Sequence, residues 1–166
     1  LNRRQFVQTS AAAAALAANP YWITSRAFGQ EASKDRPLVG SIGLGGQGTG
    51  IARRANEYGN IVAVCDVHRA HAERAKEKHF AKADVYEDYR KLLDRKDIEA
   101  VTIGTPDHWH TEIALAALEA GKHVYCEKPL TLTIDEGRQL VAMVKKTGKV
   151  MQVGTQQRGD QFELFG

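Results

Sequence analysis

The sequence predicts a doubly wound α/β fold, in which helices cover both faces of a parallel sheet. Between residues 37 and 154, short apolar runs alternate with longer segments that have helical patterns. The runs are apolar throughout instead of at every second residue, which is typical of strands buried on both faces of a parallel sheet. Gly121 and Gly148 follow two of the longer segments, where glycine commonly ends a helix. Six strands in this rhythm indicate the doubly wound arrangement.

Each element is predicted from its own residues. The strands are short apolar runs that end at a glycine or at a polar residue. The fourth helix has a clear periodicity, because Ile113, Ala114, Ala117 and Leu118 fall on one face. The predicted strands cover residues 38–43, 61–65, 85–86, 100–104, 123–126 and 150–153, and the predicted helices cover residues 46–58, 68–79, 88–95, 109–120 and 134–147.

The composition is that of an ordinary globular domain. Hydrophobic residues make up 43% of the 166 residues and charged residues 26%, which are usual proportions for a chain with a packed core. The net charge of +3 is too small to provide the basic surface with which proteins bind nucleic acid. Cys65 and Cys126 lie far apart, each at the end of a predicted strand, and we interpret both as small buried apolar residues.

A glycine-rich turn follows the first predicted strand and opens the first predicted helix. Residues 43–48 read Gly-Leu-Gly-Gly-Gln-Gly, the G-x-G-x-x-G pattern of dinucleotide-binding folds. The first glycine permits the tight turn, the second lets the backbone approach a pyrophosphate, and the third allows close packing of helix on strand. The amino terminus of the helix offers free N–H groups to the phosphates. The predicted cofactor-binding residues of this turn are Gly43, Gly45, Gly46, Gln47 and Gly48.

An acidic residue follows the second predicted strand at the spacing that a dinucleotide site requires. Asp66 lies about twenty residues after the glycine turn, where a carboxylate accepts hydrogen bonds from the adenosine ribose. A negative charge there also repels a 2′-phosphate, so the sequence favours NAD over NADP. Arg69 lies close by and could soften that preference. In the alternative interpretation, Asp66 caps the helix that begins at His68.

Two further strand ends carry residues for the reacting part of the site. Thr105 and Pro106 follow the fourth strand, where the nicotinamide half of a dinucleotide would pass. Glu127 and Lys128 follow the fifth strand, and a lysine there can hydrogen-bond a substrate hydroxyl and stabilise the alkoxide that forms as hydride leaves. Glu127 can orient this lysine. The alternative for the two residues is a surface ion pair before a proline turn.

Together these motifs resemble one family of oxidoreductases. The turn at 43–48, Asp66, the Thr-Pro-Asp-His-Trp-His run at 105–110 and the Glu-Lys-Pro run at 127–129 are similar to the motifs of the Gfo/Idh/MocA family. The resemblance covers roughly residues 37–157. It implies an NAD(P)-binding Rossmann domain and hydride transfer between a sugar or polyol hydroxyl and a nicotinamide cofactor.

The resemblance also implies roles for individual residues. Lys128 corresponds to the active-site lysine of the family, and Glu127 belongs with it to the cofactor-binding set. His110 is expected to lie against the cofactor, together with Thr105 and Pro106. The expected cofactor is NAD, with NADP less favoured, and the expected partner is a small sugar or polyol substrate.

The second domain of the family is expected to be missing from this chain. In the family, a sheet-rich domain builds the substrate pocket and supplies an acidic residue and a histidine to the active site. The chain ends at Gly166, so the resemblance implies that residues 37–154 form the dinucleotide-binding domain and that residues 155–166 begin the crossing to the absent domain. The truncated chain is expected to be inactive alone, and the full-length protein is expected to form a homo-oligomer.

The amino-terminal residues have the layout of an export signal. Arg3 and Arg4 precede an alanine tract, and a small-x-small cleavage candidate follows at residues 15–17. Paired arginines favour the twin-arginine type, and the tract is too short and too weakly apolar to form a stable membrane span. We expect a signal peptide at residues 1–18, a linker at residues 19–36 and a periplasmic protein. The alternative is an alanine-rich helix with a basic cap.

The sequence leaves three functions open, and none of them uses a metal. His68 and His71 have the spacing of a helical metal pair, but no further ligand pattern accompanies them, and we interpret the pair as part of a solvated helix face. The first function is a polyol or sugar dehydrogenase, the second is an NAD-dependent glycosidase of the same family, and the third is a non-catalytic dinucleotide-binding domain. The Glu-Lys-Pro run favours the dehydrogenase.

Overall fold

A computed structural model describes residues 36–155 of the chain. The expected signal peptide lies outside the described residues, as do the expected linker up to residue 35 and the expected crossing segment from residue 156. Within the described range the chain alternates between strands and helices, and the strands assemble into one sheet.

The sheet is parallel throughout. Its strands are β1 (Leu38–Ile42), β2 (Asn60–Cys65), β3 (Asp84–Tyr86), β4 (Ala100–Ile103), β5 (His123–Glu127) and β6 (Met151–Gly154). Their order, β3-β2-β1-β4-β5-β6, places β1 and β4 side by side at the centre, and the chain winds outward from this pair in both directions. This order confirms the predicted doubly wound fold, in which ligands bind at the carboxyl ends of the strands where the winding direction reverses.

Helices connect the strands across both faces of the sheet. They are α1 (Gly46–Tyr58), α2 (Arg69–His79), α3 (Tyr89–Leu93), α4 (His110–Glu119) and α5 (Ile134–Thr147). The bounds of α1 and α5 are those predicted. Helix α3 begins one residue later than predicted, because Asp88 accepts a hydrogen bond from the Arg90 N–H at 3.0 Å and caps the helix from outside, and it ends two residues earlier, at Leu93. A 3₁₀ turn at Asp107–Trp109 precedes α4. Across residues 36–155 every helix is too short or too polar to cross a membrane.

Apolar side chains pack on both faces of the sheet, which explains why the strands are apolar throughout. Successive residues of β2 point to opposite faces: Val64 packs in a cluster with Ala72 of α2, and Cys65 packs in a cluster with Ile113 of α4. This two-sided burial places the carboxyl end of each strand at the edge of a rigid core, where loop residues are held in fixed positions.

Both cysteines lie in the core, as predicted. Burial raises the pKa of the Cys65 thiol to about 12, with a further contribution from the charge of Asp66. Burial raises the pKa of the Cys126 thiol to about 12 as well, and the charge of Glu127 acts in the same direction. Because the thiolate is the reactive form of cysteine, both thiols are poor nucleophiles at neutral pH.

Candidate functional site

A cavity of about 670 Å³ lies at the carboxyl ends of the strands. Its walls come from the loops after β1, β2, β3 and β4, on both sides of the central strand pair. This is the position at which doubly wound sheets bind their ligands. The predicted site residues that line the cavity are Gly43, Gly45, Gly46, Gln47, Gly48, Asp66, Thr105 and Pro106.

Backbone contacts at Gly43 and Gly48 hold the glycine turn in shape. Gly43 has a φ of +80°, a left-handed conformation that side chains strain, and its N–H donates to the carbonyl oxygen of Cys65 at 2.8 Å. A Cβ on Gly48 would overlap the carbonyl oxygen of Gly43. Glycine at position 48 therefore lets α1 begin against the end of β1.

The other two glycines of the turn face open space. An ideal Cβ on Gly45 or on Gly46 would meet no atom of the described structure within 4 Å. Helix α1 begins at Gly46, and no side chain caps its amino terminus. Uncapped N–H groups at the positive end of a helix dipole bind anions, so the turn fits the pyrophosphate of a dinucleotide.

Asp66 is buried at the end of β2 and holds two backbone segments in place. Its Oδ2 accepts a hydrogen bond from the Leu44 N–H at 2.7 Å, and its Oδ1 accepts one from the His68 N–H at 2.8 Å. The N-cap position of α2 is His68, so Asp66 secures the start of this helix without being its cap. A carboxylate has about four acceptor sites, which leaves room for the hydroxyls of a ribose.

Thr105 brings a polar atom to the cavity wall. Its Oγ1 is buried and has no hydrogen-bond partner among residues 36–155. Buried hydroxyls are nearly always hydrogen-bonded, because leaving one without a partner costs free energy. A ligand in the cavity that supplied the missing partner would remove this cost.

His110 joins the loops that follow β4 and β5. The residue is 1% exposed, with Nε2 lying 2.9 Å from the carbonyl oxygen of Thr105 and Nδ1 lying 2.7 Å from the carbonyl oxygen of Pro129. His110 does not line the cavity, although the sequence placed it against the cofactor. It contacts the backbone of Thr105, which does line the cavity, and the backbone of Pro129, the neighbour of Lys128.

Lys128 and Glu127 lie at the end of β5 with very different exposure. The Lys128 side chain is 64% exposed, whereas the Glu127 side chain is only 6% exposed, and Lys128 Nζ lies 3.9 Å from Glu127 Oε1. A buried carboxylate can therefore attract and orient the exposed ammonium group. Neither residue lines the cavity, so the structure places them near the predicted site without bringing them into its wall.

The loop after β3 adds residues that the sequence analysis did not single out. Glu87 and Asp88 of this loop, with Tyr89 and Arg90 at the start of α3, line the cavity, since β3 lies next to β2 and ends at the same edge of the sheet. The residues after β3 could have been predicted from the sequence, because the loop that follows each strand of a parallel sheet lies at the same edge of the sheet. Cavity-lining residues after β2 and β4 that were also not predicted as site residues are Val67, His68, His71, Gly104, Trp109 and Ile113.

His68 and His71 pack against each other beside Asp66. Their rings stack with centroids 4.5 Å apart, and His71 Nδ1 lies 3.4 Å from Asp66 Oδ2. Among residues 36–155 no group of three or more histidine, cysteine or acidic side chains is arranged to hold a metal ion.

Comparisons with known proteins agree on one family. A family model described as an oxidoreductase family with an NAD-binding Rossmann fold matches residues 38–155. The chain is 38% identical to inositol 2-dehydrogenase of Salmonella typhimurium, over 74% of the chain and 38% of that enzyme. It is 39% identical to glycosyl hydrolase family 109 protein 1 of Shewanella sp. strain ANA-3, over 67% of the chain and 26% of that protein.

A solved structure gives the same answer. The fold superimposes on myo-inositol dehydrogenase from Lactobacillus casei, determined in complex with NAD(H) and myo-inositol, with a TM-score of 0.70 and 33% sequence identity. The match covers 75% of this chain and 38% of that one, so the chain spans under two fifths of the length of this relative. On the parallel sheet, the glycine turn and these matches, the chain belongs to the Gfo/Idh/MocA oxidoreductase family and carries its NAD-binding Rossmann domain.

Proposed function

We propose that the chain binds NAD in this cavity and forms the cofactor half of an oxidoreductase that acts on a sugar or polyol hydroxyl. One observation carries the proposal: the glycine turn, Asp66 and Thr105 meet around a single cavity at the carboxyl ends of the strands. The inositol dehydrogenases among the relatives support a polyol as the substrate class.

Different parts of the cavity wall would bind different parts of a dinucleotide. The open backbone at Gly45 and Gly46 would hold the pyrophosphate, because it combines free space with the amino terminus of α1. The remaining acceptor sites of Asp66 would bind the adenosine ribose. The Oγ1 of Thr105 would bond to the half of the cofactor that passes β4.

Lys128 would act on the substrate side of the reaction. When bound, the nicotinamide accepts or donates the hydride. The Lys128 ammonium group donates a hydrogen bond to the substrate oxygen and stabilises the negative charge that develops there. Glu127 holds the ammonium group in place from a buried position, and His110 fixes the backbone beside it through the Pro129 carbonyl oxygen.

Selectivity for NAD over NADP is part of the proposal. Asp66 is buried and its two oxygens are held by backbone N–H groups, so it cannot swing away from a 2′-phosphate. A second negative charge placed against a fixed carboxylate is repelled, and the repulsion is strong where the carboxylate is shielded from water.

The test is a fluorescence titration of the chain with NADH and NADPH. We expect NADH to bind more tightly than NADPH. We expect Asp66→Ala to weaken NADH binding by about tenfold or more, because hydrogen bonds to a charged group are lost together with the anchor of the Leu44 N–H.

Glu57→Ala is the matched control for this titration. It removes one carboxylate from an exposed position near the end of α1, away from the glycine turn, and should leave NADH binding unchanged. If the wild-type chain bound neither cofactor, or if Asp66→Ala and Glu57→Ala behaved alike, the proposed cofactor site would be wrong.

The Shewanella relative favours a second candidate, a glycosidase of the same family. Both candidates use the same cofactor cavity, so binding of NADH does not separate them. Release of a nitrophenol from a nitrophenyl glycoside, without net formation of NADH from a polyol, would favour the glycosidase. The Glu-Lys-Pro run at 127–129 supports the dehydrogenase.

We propose further that residues 1–18 direct export by the twin-arginine route to the periplasm and that the whole protein forms a homo-oligomer. The pair Arg3 and Arg4 before an alanine tract supports the first point, and the resemblance to the family supports the second. A reporter fused behind residues 1–36 that stayed in the cytoplasm would contradict export, and a monomeric whole protein in light scattering would contradict oligomer formation.

A further inference from the structure

Arg69 is held by two carboxylates that come from different elements. Its Nε donates to Glu73 Oε1 at 2.7 Å, one turn along α2, and its Nη1 donates to Glu87 Oε1 at 3.3 Å, in the loop after β3. These hydrogen bonds, the one to Glu73 first, raise the pKa of the Arg69 guanidinium. Two anchors in two directions define where the guanidinium points, which a single helical pair would not do.

The cluster formed by Glu73, Arg69 and Glu87 lies beside the part of the cavity next to Asp66, where the adenosine ribose is proposed to bind. Arg69 lies three residues after Asp66, and the residues between them, Val67 and His68, line the cavity. Glu87 lines the cavity too, whereas Arg69 and Glu73 do not. Of the three charged side chains of the cluster, only the negative Glu87 belongs to a residue of the cavity wall.

A second arginine beside the cavity is also held by two carboxylates. Arg90 lines the cavity, and its guanidinium contacts Asp88 at 3.4 Å and Glu112 at 3.2 Å while lying over the Tyr89 ring. Both arginines therefore form ion pairs with carboxylates. A 2′-phosphate would have to compete with those carboxylates for the guanidinium donors.

Arginine is the side chain best suited to bind a 2′-phosphate, because its planar fork matches two phosphate oxygens. An arginine three residues after the ribose-binding acid would by itself favour NADP. In this chain Glu73 and Glu87 already accept hydrogen bonds from the Nε and Nη1 donors of this fork. The position of Arg69 in the sequence and its contacts in the structure therefore predict opposite cofactor preferences.

We propose that Glu73 and Glu87 set the cofactor preference by withholding Arg69 from a 2′-phosphate, in addition to the repulsion by Asp66. The proposal rests on the cofactor site proposed above and adds two specificity-determining residues to it. It predicts that removal of both carboxylates releases Arg69 and makes the chain more tolerant of NADPH.

The test compares NADH and NADPH titrations of three variants of the chain. Glu73→Ala/Glu87→Ala should tighten NADPH binding by about five- to tenfold relative to NADH binding, since a released guanidinium can pair with the phosphate. Adding Arg69→Ala to these two changes should cancel the gain. Glu57→Ala/Glu77→Ala, which removes two exposed carboxylates from outside the cluster, should show no gain.

Salt dependence adds a readout that a folding defect would not produce. The gain in NADPH binding should shrink between about 50 mM and about 500 mM salt, because exposed ion pairs are screened. A gain that survived Arg69→Ala would mean that lost negative charge alone is responsible, and it would overturn the proposal. No gain in a variant that still binds NADH would overturn it as well and leave the cofactor site intact. If the wild-type chain bound neither cofactor, the cofactor site would fail and this proposal with it.

Discussion

Single side chains at the strand ends connect the core to the proposed chemistry. Asp66 ties the glycine turn to the start of α2 through two backbone N–H groups. His110 links the carbonyl oxygens of Thr105 and Pro129. Each of them fixes a loop that carries another functional residue, so the loss of one side chain would displace a neighbour as well.

Lys128 is the residue whose removal should separate catalysis from cofactor binding. In the whole protein, Lys128→Ala should lower kcat for the proposed polyol oxidation by about 100-fold or more, because the group proposed to stabilise the substrate oxygen is lost. NADH affinity should stay nearly unchanged, since Lys128 does not line the cavity. Steady-state kinetics and a NADH titration measure the two quantities.

Lys145→Ala is the control for this change, because Lys145 is an exposed lysine near the end of α5. It should alter neither kcat nor NADH affinity. Turnover by the Lys128→Ala variant at the wild-type rate would remove this lysine from the mechanism.

At the scale of elements, the junction of β1 and α1 decides whether the site forms. The strand, the turn and the helix occupy residues 38–58 without interruption, and their backbones touch at Gly43 and Gly48. Helix α5 shows a different solution, with Thr133 and Glu136 forming a capping box at its start. Side chains close the amino terminus of α5, whereas that of α1 stays open toward the cavity.

Two glycines of α1 should respond oppositely to alanine. Gly48→Ala places a Cβ on the Gly43 carbonyl oxygen, so we expect a loss of about 1–3 kcal/mol in the free energy of unfolding together with weaker NADH binding. Gly50→Ala meets no atom within 4 Å and should add about 0.5–1 kcal/mol, because alanine favours the helix. Urea denaturation and NADH titration distinguish the two; equal effects on stability would contradict the packing described for Gly48.

At the scale of the whole molecule, the carboxyl and amino ends of the sheet differ in the contacts that they make. The carboxyl ends carry the cavity, and the amino ends are joined by buried polar contacts. Lys122, which precedes β5, is buried, and its Nζ donates to the carbonyl oxygens of Arg95 at 2.6 Å and of Ile98 at 2.8 Å. Burial lowers the pKa of Lys122. These hydrogen bonds fasten the segment before β4 to the segment before β5.

Lys122→Met should destabilise the molecule without affecting its site. Two carbonyl oxygens would lose their donor, and a buried acceptor without a partner costs about 1–3 kcal/mol. We expect the free energy of unfolding to fall by an amount in that range, with NADH affinity unchanged because the cavity lies at the opposite end of the sheet. Lys96→Met, at an exposed position of the same end, should change neither quantity. A large loss of NADH affinity in Lys122→Met would show that the two ends are coupled.

The sequence by itself determined the fold class, most element bounds to within one residue and several residues that line the cavity. Runs such as residues 61–65 are apolar at every position, and two-sided burial in a parallel sheet is the arrangement that satisfies them. The glycine turn at 43–48 and Asp66 were predictable because their spacing is fixed by one strand–helix–strand unit. Local rules suffice where all of the partners lie close together in the chain.

Only the tertiary structure decided which distant side chains meet. From the sequence alone, Arg69 could bind a phosphate. Its hydrogen bond to Glu87 forms only because the fold places the loop after β3 beside α2. The family resemblance implies that His110 lies near the cofactor, and the structure shows that its ring bridges the carbonyl oxygens of Thr105 and Pro129. Which residues a side chain contacts depends on the order of the strands across the sheet, and the spacing of residues along the sequence does not specify that order.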